Sequence, residues 1–139
     1  MTGRIWTLML LLTLIGCVPP PDPGARSSCD AGTSMPVYSL YFGRSVPGGG
    51  EVADRDWDGF RNSAITPNLP NGYTILDAEG AWAAPGTGRT THERTKMLIV
   101  ALQPGPAGLA AIERVRAAYR TQFHQQQVGM TIQPACASF

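Results

Sequence analysis

Beyond residue 36 the spacing of apolar residues changes several times, and each change marks an element. Val37-Tyr38-Ser39-Leu40-Tyr41-Phe42 is dense in β-formers and ends at Gly43, ahead of the turn-rich Val46-Pro47-Gly48-Gly49-Gly50, which predicts a strand over 37–42. Asp54 then reads as an N-cap, Asp56 and Asp58 suit the positive end of a helix, and Trp57, Phe60 and Ala64 recur at i, i+3 and i+7. The short helix so predicted is weakened by Gly59 and stopped by Pro67. Loop chemistry from Thr66 to Gly72 follows. Tyr73–Leu76 and Gly80–Ala83 then read as one strand interrupted by a bulge at Asp77-Ala78-Glu79-Gly80. After the turn Pro85-Gly86-Thr87-Gly88, a strand over Thr90–Leu102 carries apolar residues at every position from Met97 to Leu102, which predicts burial on both faces. Pro106 opens a second helix whose stripe is Leu109, Ile112, Val115, Tyr119 and Phe123. Val128, Met130 and Ile132 alternate with Gly129, Thr131 and Gln133 in a last, half-buried strand.

The order βαββαβ predicts an α+β fold, the ferredoxin-like sandwich: a four-stranded antiparallel sheet in spatial order 4-1-3-2 with two helices on one face. The two richest apolar runs are the first and third strands, which that order makes central. The sheet face away from the helices then needs cover. A second copy meeting it sheet to sheet, as a homodimer, is one solution, and the loop over residues 44 to 53 is another.

The N-terminus reads as an address. Arg4 precedes an eleven-residue run, Ile5–Ile15, of Ile, Trp, Leu and Met broken only by Thr7 and Thr13. This is too short for the ~20 residues of a membrane span. The run ends in Leu14-Ile15-Gly16-Cys17, which resembles the bacterial lipobox, in which the cysteine is alkylated with diacylglycerol and the chain is cut before it. The resemblance implies a signal peptide over 1–16 and lipidation at Cys17. A Pro-rich tether then fills 17–36, and a single domain spans 37–139. Val18, rather than Asp, after the cysteine resembles the sequence of lipoproteins sent to the outer membrane, facing the periplasm. An ordinary secretory signal, or an uncleaved N-terminal helix with Cys17 as a bystander, is the alternative, and retention at the inner membrane is the other destination for a lipidated chain. Two or three acyl chains would make a stable anchor where one holds only marginally.

Composition narrows the chemistry. The chain has 139 residues, 43% of them hydrophobic, and a formal charge of +1, which leaves room for one domain and lacks the basic footprint of a nucleic-acid binder. Without residues 1–16 the remaining 123 carry ten basic and ten acidic side chains, so the membrane partnership rests on lipid and not on charge. With Cys17 lipidated, Cys29 and Cys136 remain, just outside the start of the first strand and the end of the last. Antiparallel pairing brings those two ends together, so a disulfide is expected in an oxidising compartment, with free thiols as the alternative. Only two histidines, no paired-Cys spacing and no Gly-rich loop ending in Lys-Ser/Thr leave no support for a metal or a nucleotide, and no cofactor is expected. Gly48-Gly49-Gly50 matches a flexible turn better than a phosphate loop. Arg114, Arg116 and Arg120 read as a solvated helix flank.

At the far end of the sheet, topology gathers Arg44, Trp82, His92 and Glu93, with Lys96 near. Such a set can bind an anion or move a proton. Its structural reading is an Arg44–Glu93 salt bridge sealed under Trp82.

Tyr41-Phe42-Gly43-Arg44-Ser45, Trp57 with Phe60, Thr66-Pro67 through Pro70-Asn71-Gly72-Tyr73-Thr74, Gly80-Ala81-Trp82, Glu93-Arg94 with Lys96, and Tyr119 with Phe123 and Gln125 resemble a family of bacterial secreted proteins and lipoproteins catalogued as domain of unknown function 3574. The resemblance spans roughly 37–139 and implies a small α+β domain without an established activity; Ala81 stands where the family pattern leads us to expect a polar residue. Two function classes follow. One is a lipid-anchored envelope protein that binds a ligand or partner. The other is a small envelope enzyme using Glu93 or His92 as acid or base, with Arg44 holding an anionic substrate.

Overall fold

Four strands, β1 (Thr33–Gly43), β2 (Thr74–Ala83), β3 (Thr90–Ala101) and β4 (Gly129–Ala137), form one antiparallel sheet in the order β2-β3-β1-β4. The structure, a computed structural model, describes residues 29–83, 86 and 88–139. The expected signal segment 1–16, Cys17 and the expected tether as far as residue 28 lie outside the described residues, as does part of the turn at 85–88. Two helical rods cover one face. The first joins α1 (Asp54–Phe60), a π-helical segment (Arg61–Ile65) and the short α2 (Thr66–Asn68); the second is α3 (Pro106–Phe123). This is the ferredoxin-like sandwich that the βαββαβ pattern predicts.

Strand parity explains the core. Register Tyr38↔Val100, Leu40↔Leu98 puts Tyr38, Leu40, Phe42, Leu98 and Val100 on the helix side, where they meet Trp57, Phe60, Ile65, Ile112, Val115 and Tyr119. Phe42 packs edge-on against Trp57 at 5.3 Å and Tyr119 at 4.8 Å, and Phe60 stands 5.0 Å from Tyr119. Such tilted pairs add to burial through ring quadrupoles. The predicted stripe of the second helix holds from Ile112 onward, whereas Leu109 is exposed, because the helix begins beyond the edge of the core.

Several predicted boundaries shift for identifiable reasons. β1 starts at Thr33, not Val37: Pro36 is compatible with the strand because Leu102 N–H donates to its carbonyl (3.1 Å), so its own missing N–H faces the point where β3 has ended. Pro134, opposite it in the ladder, lies on the outer strand, and β4 accordingly runs to Ala137 rather than stopping at Gln133. The expected β2 bulge is absent. Pairing runs residue for residue from Thr74↔Ile99 to Ala83↔Thr90, since Asp77 is held across the strands by Lys96 and Gly80 makes room for Thr95, whose Oγ1 would sit 2.7 Å from a Cβ there. Asp54 is not an N-cap; Ala53 holds that position and the Asp54 carboxylate turns to Arg44. Pro67 does not stop the helix at once. Thr66 N–H bonds the Arg61 carbonyl five residues back, and this widened turn admits a proline that an α-helical register would exclude.

The predicted two-sided burial of β3 is not met within one chain. Leu98 and Val100 are buried against the helices, while Met97 and Ile99, on the other face, are only half-buried. Nor does the 44–53 loop cover that face. It folds to the helix side, with Val52 in the core, Val46 packed against it, and Gln125 Nε2 donating to the Ser45 carbonyl at 2.6 Å. Gly48, Gly49 and Gly50 all take positive φ at its tip, the backbone role that explains the run.

Cys29 and Cys136 are joined by a disulfide, Cα to Cα 5.6 Å, beside the first rung of the β1–β4 ladder at Thr33↔Ala137. Of the arginines on α3, Arg114 and Arg120 are exposed as a solvated flank would be, but Arg114 and Arg116 are also tied to the fold. Arg116 donates to the Val128 carbonyl (Nη2, 2.8 Å) and pairs with Glu113, while Arg114 Nε donates to Asn68 Oδ1 at 2.7 Å.

Tyr119 links core to sheet end: its hydroxyl donates to the Gly43 carbonyl at 3.0 Å. Burial pushes this hydroxyl well above the usual tyrosine range, opposed by the Arg44 charge and reinforced by Glu93. The fold thus favours the protonated form. Its contribution to stability is complete below the unfolded value of about 10 and declines as pH rises through the folded one. Tyr119→Phe is therefore expected to lose about 1 kcal/mol near neutrality, the net worth of one hydrogen bond. The deficit should shrink or reverse by about pH 11, read from urea midpoints of both proteins.

Candidate functional site

β1 ends by sending alternate residues to opposite faces, and this decides what the sheet end can do. Phe42 and Arg44 point to the helix side and Gly43 to the open side. Arg44 is 1% exposed, yet its charge is fully engaged. Nε and Nη2 donate to the Val52 carbonyl, Nη1 meets Asp54 Oδ1 at 2.8 Å, and Glu51 Oε1 lies 3.1 Å from Nε. With Val52 N–H bonded to the Arg44 carbonyl at 2.8 Å, the guanidinium clamps the 44–53 loop onto the start of α1.

The clamp extends across the sheet. Glu51 Oε1 also takes Arg94 at 3.1 Å, Lys96 reaches Asp54 at 3.8 Å and Asp77 at 2.5 Å, and His92 Nδ1 is 3.4 Å from Glu79. The hydrogen bond from Lys96 holds the Asp77 carboxyl below the usual range. Arg44, Arg94 and Lys96 thus balance Glu51, Asp54 and Asp77 from the loop through β3 to β2, with the His92–Glu79 contact beside them. The signal for this network was present in the sequence, because Arg94 and Lys96 alternate along β3 as Asp77 and Glu79 do along β2. Only the register, Asp77↔Lys96 and Glu79↔Arg94, brings them opposite.

The predicted constellation is divided by the same parity. Arg44 and His92 lie on the helix side, Trp82 and Glu93 on the open side. The Arg44–Glu93 salt bridge does not form. Glu93 instead accepts the Ser45 N–H at 3.1 Å, crossing β1 over Gly43, where a Cβ would stand 2.5 Å from its carboxylate. Gly43 is thus the residue that admits Glu93 to this position. Trp82 does not seal the end; it is 45% exposed.

A shallow open recess of about 520 Å³ runs along β2 and β3, lined by Asp77, Ala78, Glu79, His92, Glu93 and Arg94. A second groove of about 320 Å³, which the sequence did not flag, lies at the opposite end between the Asn68–Gly72 loop and the start of α3. Among the described residues no cluster of three His, Cys, Asp or Glu side chains is placed to hold a metal, and no helix is long and apolar enough to cross a membrane.

The other face of the sheet is different in kind. By register its positions include Val37, Tyr41, Leu76, Trp82, Met97 and Ile99, with Thr, Ser, Gly, Ala and Gln between them. Among the described strand residues on this face, Glu93 is the one carboxylate, and there is no Lys, Arg or His. The ionic residues of β2 and β3 otherwise stand on the helix side.

The family described as "Protein of unknown function (DUF3574)" matches residues 37–139. The chain belongs to this family. No curated protein matches the sequence of this DUF3574 member. Its fold is similar to that of a phage SAM lyase in complex with S-methyl-5'-thioadenosine (TM-score 0.57, 13% identity, 79% of this chain and 88% of that one). It is likewise similar to a phage SAM lyase in the apo state (TM-score 0.55, 15% identity, 73% and 81%). CutA from Synechococcus elongatus complexed with Bis-Tris also aligns (TM-score 0.50, 8% identity, 78% and 88%). At these identities the likeness is one of fold alone.

Proposed function

We propose that this DUF3574 protein is a lipid-anchored module of the bacterial cell envelope, attached through Cys17 to the outer membrane and facing the periplasm, which acts by binding through its open sheet face. The observation that carries the envelope reading is the Cys29–Cys136 disulfide, because structural disulfides form and persist chiefly in oxidising compartments. Leu14-Ile15-Gly16-Cys17, directly after the apolar run, supplies the anchor. Binding is favoured over acid–base chemistry by two features. The guanidinium that would hold an anionic substrate is already saturated by Val52, Asp54 and Glu51, and Glu93 lies across the sheet from it. Three of the exposed large hydrophobic side chains, Tyr41, Leu76 and Trp82, share the open sheet face.

The test is the intact mass and phase behaviour of protein purified from membranes. The expected product begins at Cys17, carries diacylglycerol and an amide-linked acyl chain, and enters the detergent phase of a cloud-point separation, whereas Cys17→Ala carries no lipid. A native product beginning at Met1, or one found in the aqueous phase without lipid, overturns the reading.

A further inference from the structure

We infer that the open sheet face is covered by copies of this same chain, with Trp82 as the anchor of the contact. The inference rests on the binding reading above and names its partner. Three observations converge on it.

The first is charge. A sheet face left to water ordinarily alternates apolar residues with charged or polar ones, and interface cores are distinguished by depletion of charge and enrichment in aromatics and Met. This face has Tyr41, Leu76, Trp82, Met97 and Ile99 and a single carboxylate. Glu93 lies between the Met97–Tyr41 centre and Trp82 and already accepts the Ser45 N–H, and a two-fold axis at that centre sets the carboxylates of two copies on opposite sides of the contact. An anionic partner would find no cation on the strands of this face, and a cationic one only Glu93, already engaged by the Ser45 N–H.

The second is shape. β1 stops at Gly43↔Thr95, but β2 and β3 continue paired from Gly80↔Glu93 to Ala83↔Thr90. This two-stranded arm projects ~13 Å beyond the sheet, and two strands alone are marginal in water. It presents Trp82 on the same side as Leu76 and Met97, so the arm continues the apolar face outward to where a neighbour would lie. A half-exposed Trp at such a tip has the character of an interface anchor.

The third is area. Four strands spaced about 4.8 Å apart and about 30 Å long offer roughly 600 Å². With the arm added, this approaches the ~800 Å² per partner of a standard stable interface. Association would also supply the second-face burial that the unbroken run Met97–Leu102 predicts and the single chain does not provide.

Sedimentation equilibrium of the full chain in a density-matched detergent, which reads protein mass alone, decides the matter. Wild type at ~10 μM is expected to sediment as two or more chains per particle. Leu76→Arg, at a position 46% exposed in the single chain, should give one chain per particle with an unchanged circular-dichroism spectrum and melting curve or one lowered only modestly. Leu76→Met should remain associated, and Trp82→Ala should weaken association at least tenfold. A wild type that stays a single chain up to ~100 μM overturns the inference, as does a Leu76→Arg protein of unchanged mass. Failure of the lipid reading is seen separately in the N-terminal mass, since a chain without lipid that still associates leaves the present inference standing.

Discussion

Cys136→Ser is expected to lower the melting temperature of the domain by on the order of 15 °C. The disulfide it removes spans a sequence separation of 107 residues, and closing a loop of that length stabilises by about 4 to 5 kcal/mol in the chain-entropy account. Cys29→Ser should match it, and the double variant should lose no more than either single, because all three break the same cross-link. A thiol reductant should shift wild type to the same midpoint and leave the variants where they are. Equal melting of wild type with and without reductant, once thiol labelling has shown the bridge to be open, would remove the disulfide from the account of stability.

Phe42→Ala is expected to be comparably damaging, at about 3 to 5 kcal/mol. The ring is fully buried and touches Trp57, Phe60 and Tyr119, so its loss leaves a cavity walled by three other rings anchored on two helices. Those helices come from distant parts of the chain and cannot collapse onto the gap together. Phe42→Leu should recover roughly half of the loss. Urea midpoints for the two variants give the comparison, and a Phe42→Ala protein within about 1 kcal/mol of wild type would mean that the aromatic cluster repacks freely.

How much of this was legible beforehand depends on the range of the interaction. The strand order, the two helical rods and the meeting of Cys29 with Cys136 follow from local period and chain topology, and the sequence carries both. The expected β2 bulge does not form because Asp77 and Glu79, which look like turn residues when only their own strand is in view, face Lys96 and Arg94 across the ladder. The Arg44–Glu93 pairing failed for a related reason. The two residues are neighbours along the sheet end, but a one-residue step in a strand moves a side chain through the sheet, and Arg44 and Glu93 leave on opposite sides. Glu51 and Asp54, the partners Arg44 takes instead, lie seven and ten residues further on, beyond a glycine turn whose closure no periodicity announces. The half-exposed Met97 and Ile99 are the opposite case: the sequence predicts their burial, and a single chain leaves the demand unmet.

The placement of the Cys29–Cys136 bridge also decides how tension would travel through the molecule. A pull arriving along the backbone from the N-terminal side reaches Cys29 before it reaches Thr33↔Ala137, the first rung of the β1–β4 ladder. The covalent link shares that load with the far end of β4, so the central strand is not unzipped rung by rung from its free end. Any load entering from that end therefore meets a covalent clasp at the point where peeling begins.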